Sequence, residues 1–416
     1  MTKFSFLIPS KNRLELTAYA VESILRQKYE NFEIIISDNA SEQDYAGYVA
    51  KLDDARIVYR RLPQQVPVTE NWNSALELAR GDYVLMLGDD DALAPGFLPR
   101  LADLAGQMGS PDIVYLAAYH YCYPGVLPTE QAGYLADVRN SEFLGGATAP
   151  FHLSLEAARR VALAAFDFRY LFGFNSQHFL FRRAFLNAIS PSIGSVFQSP
   201  YPDTFAATVS FMKAKTIGVV PDPVVMIGIS PKSFGYYYFN DLAEEGFDFL
   251  DNEKVSPEVR ESVKSIVLPG DRNNTNWLVA IEEARRALAQ DVAIDVNVDR
   301  YRMLQVVSVL RSVYLKKIRE PGEIDQLLPM LSRSEAAGLQ VIRALVETAR
   351  DQRGGAMARA FSAIDRGLGQ FWPAEVRMLD IGTHTTILDA FNWLEAGQRE
   401  GVSQQGWFSK FLARRK

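Results

Sequence analysis

The N-terminal part of the chain alternates between two hydrophobic periods, and this alternation restricts the fold more than any other feature. Four short runs, FSFLI from Phe4, FEIIIS from Phe32, RIVYR from Arg56 and YVLML from Tyr83, are rich in β-branched and aromatic residues. Between them, LELTAYAVESILRQ, DYAGYVAKL and TENWNSALELA space apolar residues by three and four, as amphipathic helices do. The runs are apolar almost throughout, so both of their faces must be covered. The pattern predicts an α/β fold with a mostly parallel sheet flanked by helices. In such sheets ligands bind beyond the C-terminal ends of the strands. That rule selects Pro9 to Arg13, Asp38 to Ser41, Arg60 with Arg61, and the cluster Asp89-Asp90-Asp91.

Three adjacent carboxylates repel one another, and a strand end keeps them only with water, a helix N-terminus or a cation beside them. A plain solvated turn would use Asp and Gly in the same way but needs only one carboxylate. Hard divalent cations take carboxylate oxygens, and Mg²⁺ is commonly held by one or two of them together with substrate phosphates. Basic and hydroxyl-bearing loops next to such a cluster suit an anionic, metal-carrying substrate such as a nucleotide diphosphate.

At 416 residues the chain is long enough for two domains. Its net charge of -6 gives no global attraction to nucleic acid. The single cysteine, Cys122, excludes an internal disulfide framework and fits a reducing compartment. The apolar run near the N-terminus is too short for a signal peptide, and none approaches the roughly 18 residues a membrane span requires. A cytoplasmic location is expected, with membrane contact at most peripheral.

Strand-like pieces recur at DIVYLAAYHY, HFLF, TIGVV and VVMIGI, and PDTFAATVSFMKA reads as a helix with Asp203 at its start. One domain over 1–238 is expected, with a nucleotide-binding half at 1–110 and an acceptor-binding half at 111–238. Long helical stretches follow, and 239–416 reads as an all-helical second domain.

FLIPSKNR, IIISDNAS, NWNSALELARGDYVLMLGDDDAL and HFLFRR together resemble the family 2 glycosyltransferases of the GT-A fold. The resemblance leaves out the helical part. It implies that Pro9, Ser10 and Arg13 touch the nucleotide and that Asp38 meets a pyrimidine base. It also implies that Asp89 to Asp91 hold Mg²⁺ or Mn²⁺ across the diphosphate, with Asp91 the first choice of metal ligand. Asp89 is then a second ligand or lies nearer the ribose or sugar. Gly88 stands where many relatives carry Asp. Asn39, Arg60, Asn73 and Asp90 complete the expected nucleotide-sugar set, although Asn71 and Asn73 could instead only support the Asp38 loop.

Asp203 is the expected catalytic base, in a place where the family usually has Glu-Asp and this chain has Pro202-Asp203. A helix N-cap is the structural alternative. His178 and Lys232 are candidates for the acceptor or the diphosphate. His178 could equally be a buried core histidine, and the Lys232 segment could be a closing loop or a linker. Trp72 and Tyr236 to Tyr238 could stack on sugar rings or belong to the core.

The expectation is an inverting, metal-dependent transfer from a nucleotide-diphosphate sugar to a growing glycan or lipid-linked acceptor. UDP or dTDP fits Asp38, GDP remains open, and the resemblance points to surface polysaccharide assembly. The alternative is a catalytically inactive GT-A scaffold or glycan-binding module. A sugar nucleotidyltransferase would need a Gly- and Arg-rich N-terminal loop, and IPSKNR has no glycine. Residues 406–416 separate into an apolar and a basic face, which suits an anionic membrane surface or a docked last helix. A homo-oligomer is left open.

Overall fold

The computed structural model describes residues 1–127, 131–239, 255–314, 323–350, 355–397 and 401–403. The four predicted strands form: β1 (Phe4–Ser10), β2 (Phe32–Asp38), β3 (Ile57–Arg61) and β4 (Tyr83–Met86). They are parallel in the order β3-β2-β1-β4, and every residue of β1, β2 and β4 is buried. The connecting helices are α1 (Leu14–Leu25), α2 (Tyr45–Leu52) and α3 (Val68–Leu78). Register then settles which loops meet: Ser10 lies opposite Asp38, and Asp38 opposite Arg61.

The sheet becomes mixed after residue 110. After β5 (Ala92–Leu93) and α4 (Phe97–Gln107), the chain runs through β6 (Ile113–Cys122), β7 (Tyr134–Arg139), β8 (Phe151–His152) and α5 (Leu155–Ala164). Then follow β9 (Phe179–Arg182), α6 (Arg183–Ile193), α7 (Pro202–Lys213) and β10 (Ile217–Ile229). Strand β9 enters between β4 and β6, antiparallel to both. Strand β10 runs parallel to β6 and antiparallel to β5, which carries its C-terminal residues to the Asp cluster.

The helical region is present as Pro257–Val263, Arg272–Leu288, Val298–Tyr314, Glu323–Leu327, Arg333–Arg350 and Ala356–Leu368. The expected all-helical organisation of 239–416 needs one correction. Strand β11 (Glu375–Leu379) pairs antiparallel with β7, and β12 (Gly401–Ser403) pairs with β11, so the chain returns to the sheet. The segment EVRML buries Val376 and Leu379 and exposes Glu375 and Arg377. Its short strand signal is flanked by much longer helical ones. The helix Ile387–Glu395, closed by a Thr386/Asp389 capping box, packs against α1.

At its junction with the sheet the helical region shares the sheet's core, and Leu268, Val306, Val309, Leu310, Leu327 and Leu339 form a smaller separate cluster further out. Trp277, Leu278, Ile281, Ala284 and Leu288 share one buried cluster with α7 and the sheet residues Tyr115 and Phe179. The Trp277 indole also donates to the Ala165 carbonyl at 3.0 Å. Because this ring is shared, Trp277→Ala is expected to lower stability by about 3–5 kcal/mol. Sheet and helices should then unfold together. Denaturant melts that separate into two transitions would sink the shared core.

Candidate active site

The register row at the sheet edge builds the first part of the site. Asp38 is fully buried, and its Oδ1 accepts from the Ser41 N–H at 2.8 Å. Its Oδ2 accepts from the Tyr59 hydroxyl at 2.9 Å and the Arg61 guanidinium at 3.1 Å. Arg60, expected here, is turned the other way. Its guanidinium donates to the Ser74 hydroxyl on α3 at 2.8 Å, because neighbouring strand residues face opposite sides. Arg61 takes the position instead.

Two expected binding asparagines are structural. The Asn39 amide exchanges two hydrogen bonds, each 2.8 Å, with the backbone of Val66. Asn73 donates to the Thr69 and Phe197 carbonyls at 2.8 and 2.9 Å. Asn71 supports the Asp38 loop by accepting from Ser37 at 2.6 Å. Pro9 is buried within β1, opposite Ser37. Trp72 packs edge-on against Phe197 as part of the core.

Each member of the Asp cluster is gripped by a different element. Asp89 accepts from Ser10 at 2.5 Å and from Arg13 at 2.8 Å. Tyr45 orders that contact: its hydroxyl lies 2.6 Å from Ser10 Oγ and accepts from the Arg13 N–H at 3.1 Å. Asp90 accepts from Ser230 at 2.6 Å. Asp91 accepts from the Gly88 and Gly228 N–H groups, each at 2.7 Å, and from the Gln177 amide at 2.6 Å.

Burial raises the pKa of Asp90, and the Asp89 charge adds to that rise while Arg13 opposes it. Burial and then the Asp90 charge push Asp91 well above the usual carboxylate range. Burial works against the charge of Arg13, yet Asp89 and Asp90 more than offset it and raise the guanidinium. Arg13 also donates to the Lys232 carbonyl, and the Lys232 ammonium donates to the Asn12 carbonyl at 3.0 Å. The 230–234 segment therefore lies over Arg13, with Lys232 exposed at the rim.

As a test of metal fit, no group of three or more His, Cys, Asp or Glu side chains among the described residues is arranged to hold an ion. Asp91, the expected first ligand, accepts backbone and amide donors on both oxygens and is thereby braced, as Asp89 is by Ser10 and Arg13. Asp89 and Asp90 remain, and two carboxylates match the number by which Mg²⁺ is usually held beside substrate phosphates.

Asp203 lies in the first turn of α7, but it is not the N-cap. That position is Tyr201, and it makes no side-chain cap. Asp203 Oδ1 accepts instead from the Ser176 N–H at 2.8 Å and from the Ser176 hydroxyl. Burial raises its pKa to about 6, with the Ser176 hydrogen bonds pulling the other way. Ser176 and Gln177 are consecutive in one 3₁₀ turn, so a single turn holds both Asp203 and Asp91.

His178, the next residue, belongs to the core. It is fully buried, stacked on Tyr115 at 5.2 Å, and its Nδ1 lies 2.7 Å from the Leu116 carbonyl. Burial lowers its pKa to about 4, which keeps the ring neutral. The acceptor or diphosphate role expected for it is therefore replaced by packing. Gln177, Ser176, Ser230 and Tyr45 are the partners that periodicity alone does not single out.

Residues 5–155 match the family described as Glycosyl transferase family 2. The likeness to this family covers about a third of the chain. The matched segment spans β1 to β4 and the Asp cluster, and it ends before the turn that holds Asp203. A Campylobacter jejuni GalNAc(5)-diNAcBac-PP-undecaprenol beta-1,3-glucosyltransferase is 38% identical over 111 residues, 26% of this chain and 36% of that protein. The Escherichia coli UDP-Glc:alpha-D-GlcNAc-diphosphoundecaprenol beta-1,3-glucosyltransferase WfaP is 34% identical over 91 residues, 22% of this chain and 36% of that protein. The chain thus spans about a third of the length of these relatives. Staphylococcus aureus TarS 1–349 in complex with UDP-GlcNAc aligns with a TM-score of 0.45 at 16% identity, covering 88% of each chain.

The Asp cluster depends on one close approach. A Cβ on Gly228 would lie 1.9 Å from the Asp90 carbonyl oxygen, whereas one on Gly106 in α4 would meet nothing within 4 Å. Gly228→Ala is expected to lose about 1–3 kcal/mol as Asp90 is displaced. Gly106→Ala should gain about 0.5–1 kcal/mol. Thermal melts of the two variants check this, and equal melting temperatures would contradict the packing of β10 on Asp90.

Proposed function

We propose that this chain is an inverting glycosyltransferase that moves a sugar from a nucleotide diphosphate to a hydroxyl of a glycan or lipid-linked acceptor. The observation that carries the proposal is the 3₁₀ turn that ties Asp203 to the Asp cluster through Ser176 and Gln177. A carboxylate with a pKa near 6, beside a site suited to an anionic donor, has the properties of a general base. The relatives' names support the donor and acceptor classes. One carries UDP-Glc in its name, and both name undecaprenol-linked acceptors.

In this mechanism Asp38 and Arg61 receive the base of a UDP or dTDP donor, and Ser10 and Arg13 order Asp89 beside it. Asp203 takes the proton of the acceptor hydroxyl. The acceptor oxygen forms its bond to the anomeric carbon as the bond to the diphosphate breaks, and the electron pair leaves with the phosphate. Displacement from the opposite face inverts the anomeric centre. A bound Mg²⁺ or Mn²⁺, held by Asp89 and Asp90 with the diphosphate, would neutralise charge on the leaving group. Lys232 at the rim adds positive charge beside the same group.

The setting proposed is surface polysaccharide assembly on the cytoplasmic side of a membrane. No helix among the described residues is long and apolar enough to cross a membrane. The basic segment 406–416, read as a lipid contact or a docked last helix, lies outside the described residues.

The test is turnover of a nucleotide-sugar panel with Mg²⁺, Mn²⁺ or EDTA. One donor should be consumed, EDTA should stop it, and Asp203→Asn should lower kcat by about 10²–10⁴-fold. The base acts deprotonated, so the wild-type rate should rise with pH through about 6 and level off above it. Asp203→Asn should lack that limb. A folded protein that binds no donor would leave only the scaffold.

A further inference from the structure

Among the exposed large hydrophobic residues described, Phe371 is the only aromatic one, with 55% of its surface open to solvent. It belongs to a segment of the C-terminal region that is pinned to the acceptor half. Tyr170 donates its N–H to the Gln370 carbonyl at 2.6 Å, and Trp372 donates its N–H to the Tyr170 carbonyl at 2.8 Å. The Phe371 ring lies 4.6 Å from the half-buried Tyr170 ring, and Tyr170 stands edge-on to the half-buried Phe174 at 6.2 Å. Phe174 is two residues from Ser176, which holds Asp203. An aromatic path thus leads from an exposed ring to the candidate base.

Amide side chains border this path. The Gln370 amide donates to Asn274 Oδ1 at 3.3 Å and to the Tyr170 hydroxyl at 3.4 Å. Asn273 accepts from the Tyr201 hydroxyl at 3.0 Å, and Tyr201 is two residues before Asp203. Sugar rings present C–H faces and hydroxyl edges. Aromatic rings cover the former, and amides donate to and accept from the latter. A membrane would call for a continuous apolar face, whereas here the rings alternate with hydrogen-bonding groups, including Asp271, which accepts from the Asn273 amide at 2.9 Å.

We propose that Phe371, Tyr170 and Phe174, bordered by Gln370, Asn273 and Asn274, form a platform that holds the glycan part of the acceptor on its way to Asp203. The proposal rests on the transferase reading and adds a purpose for the C-terminal region: it supplies the outermost ring of the acceptor surface. Phe371→Ala leaves the backbone pairing at 370–372 intact, so the ring is tested without unpinning the segment.

The experiment uses the full chain on an array of bacterial surface glycans. Retained structures are then titrated as hexa- and disaccharides by intrinsic fluorescence, since Trp277 and Trp372 adjoin the platform. Hexasaccharides should bind at least about ten-fold more tightly than disaccharides, and Phe371→Ala should remove about ten-fold of hexasaccharide affinity. Phe371→Trp should restore it. Retention of no glycan, or equal binding by Phe371→Ala, would overturn the platform. So would a self-association that is lost in Phe371→Ala with no change in glycan affinity, because the ring would then face a second copy. UDP binding measured in parallel separates the two ideas. UDP bound without glycan overturns the platform alone, and glycan bound without UDP overturns the transferase and keeps the platform as part of a glycan-binding module.

Discussion

Three consecutive carboxylates buried at the end of one strand cannot share a partner, and the rest of the site is arranged around that fact. Each must find its own donors within a hydrogen-bond length, since an unpaired buried charge is far more costly than an unpaired neutral group. Asp89 takes Ser10 and Arg13 from β1 and the start of α1, Asp90 takes Ser230 from beyond β10, and Asp91 takes Gly228 and Gln177. The parallel strands, β10 and the 3₁₀ turn that holds Asp203 are thereby joined at one point. The demand also explains a glycine. Strand β10 reaches Asp91 only by passing so close to the Asp90 carbonyl that no side chain fits at Gly228.

The donors are unequal. Asp89 pairs directly with a cation, Arg13, whose charge also reaches Asp90, while the hydrogen bonds to Asp90 and Asp91 come from hydroxyl, amide and backbone N–H groups. Those neutral donors satisfy lone pairs but do not cancel charge, so burial and mutual repulsion keep both pKa values raised. Unrelieved repulsion at a strand end favours any counter-charge that arrives with a substrate. A rigid set of donors also holds the carboxylates in place before it arrives, which is the condition for electrostatic stabilisation without reorganisation.

The nucleotide half was legible because its signals are local. Continuous apolar strands, amphipathic helices and polar strand ends require no knowledge of distant contacts, and Ser10, Arg13, Asp38 and the Asp cluster follow from them. Arg60 was misplaced by one residue because a strand end does not announce which of two neighbours faces the ligand edge. Gln177 and Ser230 carry no periodic signal; their roles exist only once the 3₁₀ turn and β10 meet the Asp cluster. His178 shows the reverse case. In sequence it reads equally as a ligand or a core histidine, and only its burial against Tyr115 and the Leu116 carbonyl favours the second.

The C-terminal region illustrates why separate elements in sequence need not be separate bodies. Its helices pack on α7, its strand β11 extends the sheet beyond β7, and its helix Ile387–Glu395 meets α1. There Arg26 contacts Asn392 and Glu395 and lies 4.3 Å from the Phe391 ring centroid. The exposed ion pair contributes little by itself. The buried Ile387, Ala390, Phe391 and Leu394 contribute more, because they join the cluster that contains Tyr121 and Leu135. Helix α1 begins just after Arg13, and β7 pairs with β6 in the mixed part of the sheet. A segment that contacts both ties the element that carries Arg13 to the far side of the sheet, so the returning C-terminal chain and the sheet together frame the Asp cluster.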